Sequence, residues 1–164
     1  MIRIVPTADK WVESFQRCLD AVARERKHIA MVEGPPVEVL RGFVGAIAGG
    51  MGVQLLAVED EQLVVGWCDI IRHQREGFRH SGQMGMGVLE RVRRQGVGRR
   101  LAAETIGKAR AAGMDRIELE VFASNAPAVA LYKKLGFVLE GTKRGARRID
   151  GGVDDVLVMA LLQK

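Results

Sequence analysis

The sequence predicts one α/β domain, a mixed sheet with helices packed against it. Three observations carry this. Short apolar, β-rich runs are interleaved with stretches at helical spacing, in the order β α α β β β α β α β β. The chain has 164 residues, enough for one domain with a sizeable core. Apolar residues make up 48% and charged residues 27%, the balance of a soluble globular protein, and no repeat, linker or low-complexity segment divides it.

"IRIV" (Ile2 to Val5) is short, β-branched and ended by Pro6, so it predicts a strand. From about Asp9, Trp11, Phe15, Leu19, Val22 and Ala23 recur at helical spacing until "EGPP". Val37, Leu40, Val44 and Ile47 predict a second helix, ended by "GGMG". "VQLLAVED" and "QLVVGWCDII" read as an antiparallel hairpin about an acidic turn. "HSGQMGMGVL" predicts a strand despite glycines at 82, 85 and 87, which mark a bulge or a close approach to the backbone. After the stretch "RVRRQGVGRR", Leu101, Ala102, Thr105, Ile106 and Ala109 form a helical stripe capped by Gly113. "DRIELEVFA" alternates as a strand. "SNAPAVALYKKLGF" opens with capping residues and a proline and closes on Gly136, which predicts a helix. "FVLEGTKRG" and "VDDVLVMALL" predict two last strands around a basic loop and the turn "DGG".

The net charge is +5, and much of the excess is local. Arg91, Arg93, Arg94, Arg99 and Arg100 form one block, and Lys143, Arg144, Arg147 and Arg148 another. Such blocks imply an anionic partner: nucleic acid, a membrane surface or a phosphorylated small molecule. Aromatic residues are 5% of the chain and do not interleave with the arginines, which argues against single-strand stacking; no helix-turn-helix or zinc-finger pattern appears. No apolar run is long enough to cross a membrane and no signal-peptide core opens the chain, so the expectation is a cytoplasmic protein. Cys18 and Cys68 sit in apolar segments and read as reduced, buried thiols. With His28, His73 and His80 dispersed, no metal site is expected.

A strand, a Gly-rich loop and a helix start form a recurring phosphate site, because the first turn of a helix presents unpaired N–H groups and partial positive charge. Here the loop is "RRQGVG", with the helix starting near Gly98. It lacks the Gly-Lys-Ser/Thr of a Walker loop and the spacing of a dinucleotide fingerprint. Arg93, Gly96 and Gly98 form "R-x-x-G-x-G", which resembles the pyrophosphate loop of the GNAT superfamily of N-acetyltransferases. "MGMGV" before it, "LEVFASNAPAVALYKKLGF" after it and "VDDVLVMAL" near the end resemble that superfamily in the same order. The likeness covers roughly residues 50 to 164 and is weak over the first two helices.

The resemblance implies one GNAT domain over residues 1–164, a mostly antiparallel sheet of about six to seven strands with four helices. Residues 1–50 would shape the acceptor side and 81–136 the acetyl-CoA core. The backbone of Met86, Gly87 and Val88 would pair with the thioester and pantetheine arm, the N–H near Met86 serving as oxyanion donor. Amides from Arg93 through Arg94, Gln95, Gly96, Val97 and Gly98 to Arg99 would wrap the pyrophosphate, Arg94 and Arg99 adding charge, and Asn125 would bond the pantetheine arm. Tyr132, the sole tyrosine, matches the residue that protonates the leaving thiolate. Glu120, with Glu118 on the same face of its strand, is the candidate base, with water-mediated deprotonation as the other route. The basic "TKRGARRIDGG" would wall the acceptor site or stand as a solvated hairpin, and His73 and His80 flank the segment before the cofactor strand.

From "DRIEL" to "VDD" the chain is especially similar to bacterial members that acetylate free amino acids. A small primary amine, first of all the α-amine of a free L-amino acid, is therefore the expected acceptor. Ribosomal-protein N-termini come second and polyamines or aminoglycosides third. An acetyl-CoA sensor and a nucleic-acid-binding module are the non-enzymatic alternatives. The resemblance also implies a homodimer, and neither nucleic acid nor membrane as partner.

Overall fold

In the computed structural model, which describes residues 1–163, seven strands form one sheet. They are β1 (Ile2–Pro6), β2 (Gly52–Glu59), β3 (Leu63–Arg72), β4 (Ser81–Val88), β5 (Arg116–Phe122), β6 (Val138–Ile149) and β7 (Gly152–Leu162). The helices are α1 (Val12–Arg24), α2 (Val37–Ala46), α3 (Val97–Ala111) and α4 (Ala126–Lys134). The order across the sheet is β1-β2-β3-β4-β5-β7-β6. All neighbours run antiparallel except β4 and β5, so the element order and mixed sheet read from the sequence are those observed.

The apolar spacing decides which face each helix covers. In α1, Val12, Phe15, Cys18, Leu19 and Val22 fall on one stripe and are buried with Leu40 and Val44 of α2 against Leu56, Val58, Val64 and Trp67. In α3, Val97, Leu101, Ala102, Ile106 and Ala109 bury against the opposite face, with Leu55, Ala57, Cys68 and Ile70. Cys18 and Cys68 are thus buried free thiols in separate layers. The expected start near Asp9 is a tight turn, Asp9–Trp11, that leads into α1. α2 ends in a wide turn, Ile47–Met51, where Gly50 takes a φ of +95°.

One polar contact locks α1 to the sheet. A register shift between Ala57 and Val58 of β2 takes β3 out of even pairing. The Val64 N–H donates instead to Ser14 Oγ at 2.9 Å, in a fully buried setting. A buried N–H left alone would cost about 1–3 kcal/mol.

The feature that positions the site is the seam between β4 and β5. They pair over three residues, Ser81, Gly82 and Gln83 against Arg116, Ile117 and Glu118. From there β4 follows β3 up to Val88, while β5 follows β7 up to Phe122. The two strands part and leave a wedge with backbone on both sides. Gly87 in β4 has a steric cause of its own: a Cβ there would lie 2.2 Å from Cη2 of Trp67, whose indole crosses the strand and packs on Phe15 at 5.8 Å between ring centroids.

Candidate active site

A cavity of about 800 Å³ runs along the wedge. Met84 to Val88 wall it on one side and Glu120, Val121 and Phe122 on the other, with Asn125 before α4, Tyr132 within it and the start of α3 at one end. Successive N–H groups of a strand alternate sides. The Leu89 N–H donates to Val65 of β3, so those of Val88 and Met86 face the wedge. The Gly87 N–H faces β3. The structure thus leaves the Met86 and Val88 N–H groups free at the edge, the arrangement expected for an extended chain laid beside β4.

At the end of the wedge the chain turns into α3. Gly96 stands before the helix with φ +81°, a conformation that L side chains rarely adopt, and a Cβ there would meet nothing. Arg94 also lies in the left-handed region, at φ +61°, which costs about 1–2 kcal/mol and is typical of ligand clamps. The first intrahelical bond is Arg100 N–H to Gly96 O, so the N–H groups of Val97, Gly98 and Arg99 precede the helical ladder and remain free for an anion. The Arg93 N–H bonds Glu90 O, and the usable amides begin after it.

The five crowded arginines divide by partner. Arg91 forms a two-pronged pair with Glu59, and Arg100 reaches Ile2 O. Arg93 binds both oxygens of Glu25 at 2.8 and 2.6 Å and also donates to Val88 O. Arg94 and Arg99 form no ion pair among the described residues, and both line the cavity. Two guanidinium groups are therefore left for a phosphorylated ligand. Val97 is buried in the core, and the Gln95 amide turns back to Arg91 O, so neither side chain is presented to the cavity.

The Arg93–Glu25 pair was not legible in the sequence, since 68 positions separate the partners. It ties the loop before α3 to the end of α1. Burial would raise the Glu25 pKa, but hydrogen bonds and charge from Arg93 hold it below the usual range. His28 lines the cavity beside them. Burial, then Arg93, push its pKa down, so it is neutral near pH 7.

Tyr132 is buried in the core, tilted against Phe137 at 5.8 Å, and also lines the cavity. Burial pushes its phenol pKa up, which keeps the proton in place. Asn125 caps α4 with no side-chain bond to the helix, so its amide is free toward the cavity. Glu120 lies at the rim, half exposed, paired with Lys143. Glu118 shares its face but is held by His73 Nε2 at 2.7 Å and by Arg116. His80 is exposed and caps β5 through its carbonyl.

The basic segment forms the β6–β7 hairpin, turning at Asp150 and Gly151. Arg147 stacks over the cavity-lining Phe122 at 3.9 Å and donates to Arg26 O, while Arg26 pairs with Asp150. The hairpin thus meets the end of α1 and closes one wall. Among the described residues no group of three or more His, Cys, Asp or Glu could hold a metal, and no helix is long and apolar enough to cross a membrane.

Comparison with known proteins bears on the family and the fold. The chain is 39% identical over 108 residues to the L-amino acid N-acetyltransferase AaaT of Escherichia coli K12, covering 65% of this chain and 66% of that protein. It is 41% identical over 68 residues to the [ribosomal protein bS18]-alanine N-acetyltransferase of the same organism, 42% of this chain and 46% of that one. The matches thus span just under two thirds and under half of these relatives' own lengths. A GNAT-family acetyltransferase of Streptococcus pneumoniae superposes with a TM-score of 0.92 at 28% identity, covering 99% of this chain and 100% of that one. A Salmonella typhimurium structure described as yncA with its cofactor acetyl-CoA superposes at 0.92 with 18% identity, which speaks to the fold, covering 100% and 95%. The model of the Acetyltransferase (GNAT) family matches residues 11–137, and the chain belongs to that family.

Proposed function

We propose that this protein transfers the acetyl group of acetyl-CoA to a primary amine by direct attack in a ternary complex, with a free L-amino acid as first acceptor. The observation that carries this reading is the single cavity in which the free edge of β4, the unladdered amides of α3 and two unpaired arginines lie end to end. Those groups fit the thioester, pantetheine and diphosphate of acetyl-CoA, which supplies the activated acyl group.

The Met86 N–H would polarise the thioester carbonyl and stabilise its oxyanion. Val88 would pair with the pantetheine arm from the strand edge, and Asn125 from across the wedge. Val97, Gly98 and Arg99 would hold the diphosphate through backbone N–H groups, with the Arg94 and Arg99 side chains neutralising it. Tyr132 would give its proton to the departing sulfur, a role that suits a phenol kept protonated by burial. Glu120 stands at the rim as candidate base, with a water-mediated route beside it.

The amino-acid acceptor is supported by the likeness to AaaT, and the ribosomal-protein N-terminus by the shorter match to the bS18-alanine enzyme. Calorimetry with acetyl-CoA, coenzyme A and a short oligonucleotide separates an enzyme from a nucleic-acid binder. Micromolar binding of the oligonucleotide alone at physiological salt would overturn the enzyme reading. Thiol release with amino acids, tripeptides, polyamines and aminoglycosides then identifies the acceptor.

A further inference from the structure

The sheet face toward α1 and α2 holds a third carboxyl beside Glu118 and Glu120. Asp69 of β3 stands opposite Gly85 of β4 in the ladder and next to Gln54 of β2. The alternation of β3 fixes its direction. Trp67 packs against α1 and Cys68 and Ile70 against α3, so Asp69 points to the α1–α2 face. Its neighbour across β4 is a glycine that is itself exposed and lines the cavity. A Cβ at Gly85 would meet Asp69 Oδ1 at 3.5 Å and nothing else within 4 Å. The missing side chain therefore leaves no β4 side chain over Oδ1 of the half-buried Asp69, beside a cavity-lining glycine and one residue from Met86, whose N–H faces the expected thioester.

We propose that Asp69 receives the proton of the acceptor amine across Gly85, directly or through one water, and is where the water-mediated route ends. This rests on the acetyl-transfer reading above. One N–H proton of the ammonium passes to Asp69 and on to solvent. The nitrogen pair then forms the C–N bond to the acetyl carbon, and the C–S bond breaks. Tyr132 gives its proton to the sulfur and recovers one from the second N–H through water.

The surroundings suit that role. Asp69 forms no ion pair among the described residues. The carboxyls of β5 differ, Glu118 being held by His73 and Arg116, and Glu120 by Lys143. Gln54 is almost fully buried, and neither of its amide atoms makes a hydrogen bond of normal geometry. Its closeness lowers the Asp69 pKa somewhat, but burial dominates and pushes it up to about 7. Of the other packed elements, α1 turns one ionisable group to the sheet, the Cys18 thiol, and Arg41 of α2, paired with Asp9, lines a cavity that Gln54 also lines. A carboxyl with a pKa near 7 is roughly a thousandfold stronger as a base than an ordinary one and is still half ionised at neutral pH.

The test compares wild type, Asp69→Asn, Gly85→Ala and Glu120→Gln on the best acceptor from the amine panel. Asp69→Asn should lower kcat/KM about 100-fold or more, within the range of a lost general base, with acetyl-CoA affinity by calorimetry unchanged. The acidic limb of the wild-type kcat/KM profile near pH 7 should vanish in this variant, leaving only the titration of the amine itself. Gly85→Ala sets a methyl over Oδ1 at an ordinary contact distance and should lower acceptor kcat/KM about tenfold while the melting temperature holds. It keeps the idea testable if Asp69→Asn fails to fold. Wild-type turnover and an intact acidic limb in Asp69→Asn, or in its absence full activity of Gly85→Ala, would refute the role of Asp69 and leave acetyl transfer standing. Acetyl-CoA binding by wild type with no amine turned over would overturn the acetyl-transfer reading and this one with it.

Discussion

Replacing Asp69 by Asn should stabilise the protein, and the gain should grow with pH. Burial raises this carboxyl from 3.8 to about 7 in the folded chain. Below pH about 4 the group is neutral in both states and the substitution is close to isosteric. Between about 4 and 7 the unfolded chain ionises while the folded chain keeps its proton, so the native state binds more protons and stability falls as pH rises. Above about 7 the penalty is complete. Three units at about 1.4 kcal/mol each set a ceiling of about 4 kcal/mol, which the partial access of Asp69 to water reduces. About two of those units lie between pH 5 and pH 8, so the stability gap between variant and wild type should widen by up to about 3 kcal/mol over that span. For a domain of this size that is up to about 10 °C in melting temperature. Urea unfolding followed by circular dichroism at both pH values reads it. A gap that is equal at the two, or a variant less stable at the higher one, would refute a buried carboxyl ionised at a cost to the fold.

Other outcomes follow from the same structure. Ser14→Ala strips the buried Val64 N–H of its acceptor and should lower stability by about 1–3 kcal/mol in urea unfolding, whereas Ser14→Thr, which keeps the hydroxyl, should lose less. Gly87→Ala forces a methyl into Trp67 and should cost about 1–3 kcal/mol or more, visible as a lower melting temperature and altered tryptophan fluorescence. Tyr132→Phe should lower kcat about 10- to 1000-fold with acetyl-CoA affinity kept; unchanged turnover with chemistry rate-limiting would exclude it as the acid. Gly96→Val places a β-branched residue at φ +81° and should weaken acetyl-CoA binding in calorimetry without unfolding the protein; retained affinity would remove the loop from the site.

Much of the fold could be read along the chain because it is written in periodicities. The stripe Val12, Phe15, Leu19, Val22 and the alternation of "DRIELEVFA" each report a local geometry that repeats within a few residues. Gly96 and Gly98 marked the turn into α3, where Gly96 takes a φ of +81° that L side chains rarely adopt. The glycines of "MGMG" were legible as unusual, but their causes differ. Gly87 yields to the Trp67 ring, while Gly85 uncovers Asp69, and neither partner is near in sequence.

The site beyond the loop was harder to see. Glu120 and Glu118 share a strand face as alternation requires, and Arg116, two residues from Glu118, is a local partner, yet Lys143 and His73 reach them only once the β6–β7 hairpin and the segment after β3 are in place. In one dimension Asp69 looked like an acidic residue inside an apolar strand. Its importance comes from its two neighbours across the ladder, the buried Gln54 and the bare Gly85.

The sequence by itself determined the order of elements, the family and the glycine turn that opens α3, because each depends on residues within one helix turn or one strand. Only the tertiary structure decided which arginines stay free of an ion pair, where β4 and β5 part, and which carboxyl lies against the bare Gly85. Those outcomes depend on pairings between strands and across dozens of residues, and burial and charge at each point are sums over neighbours that the linear order does not contain.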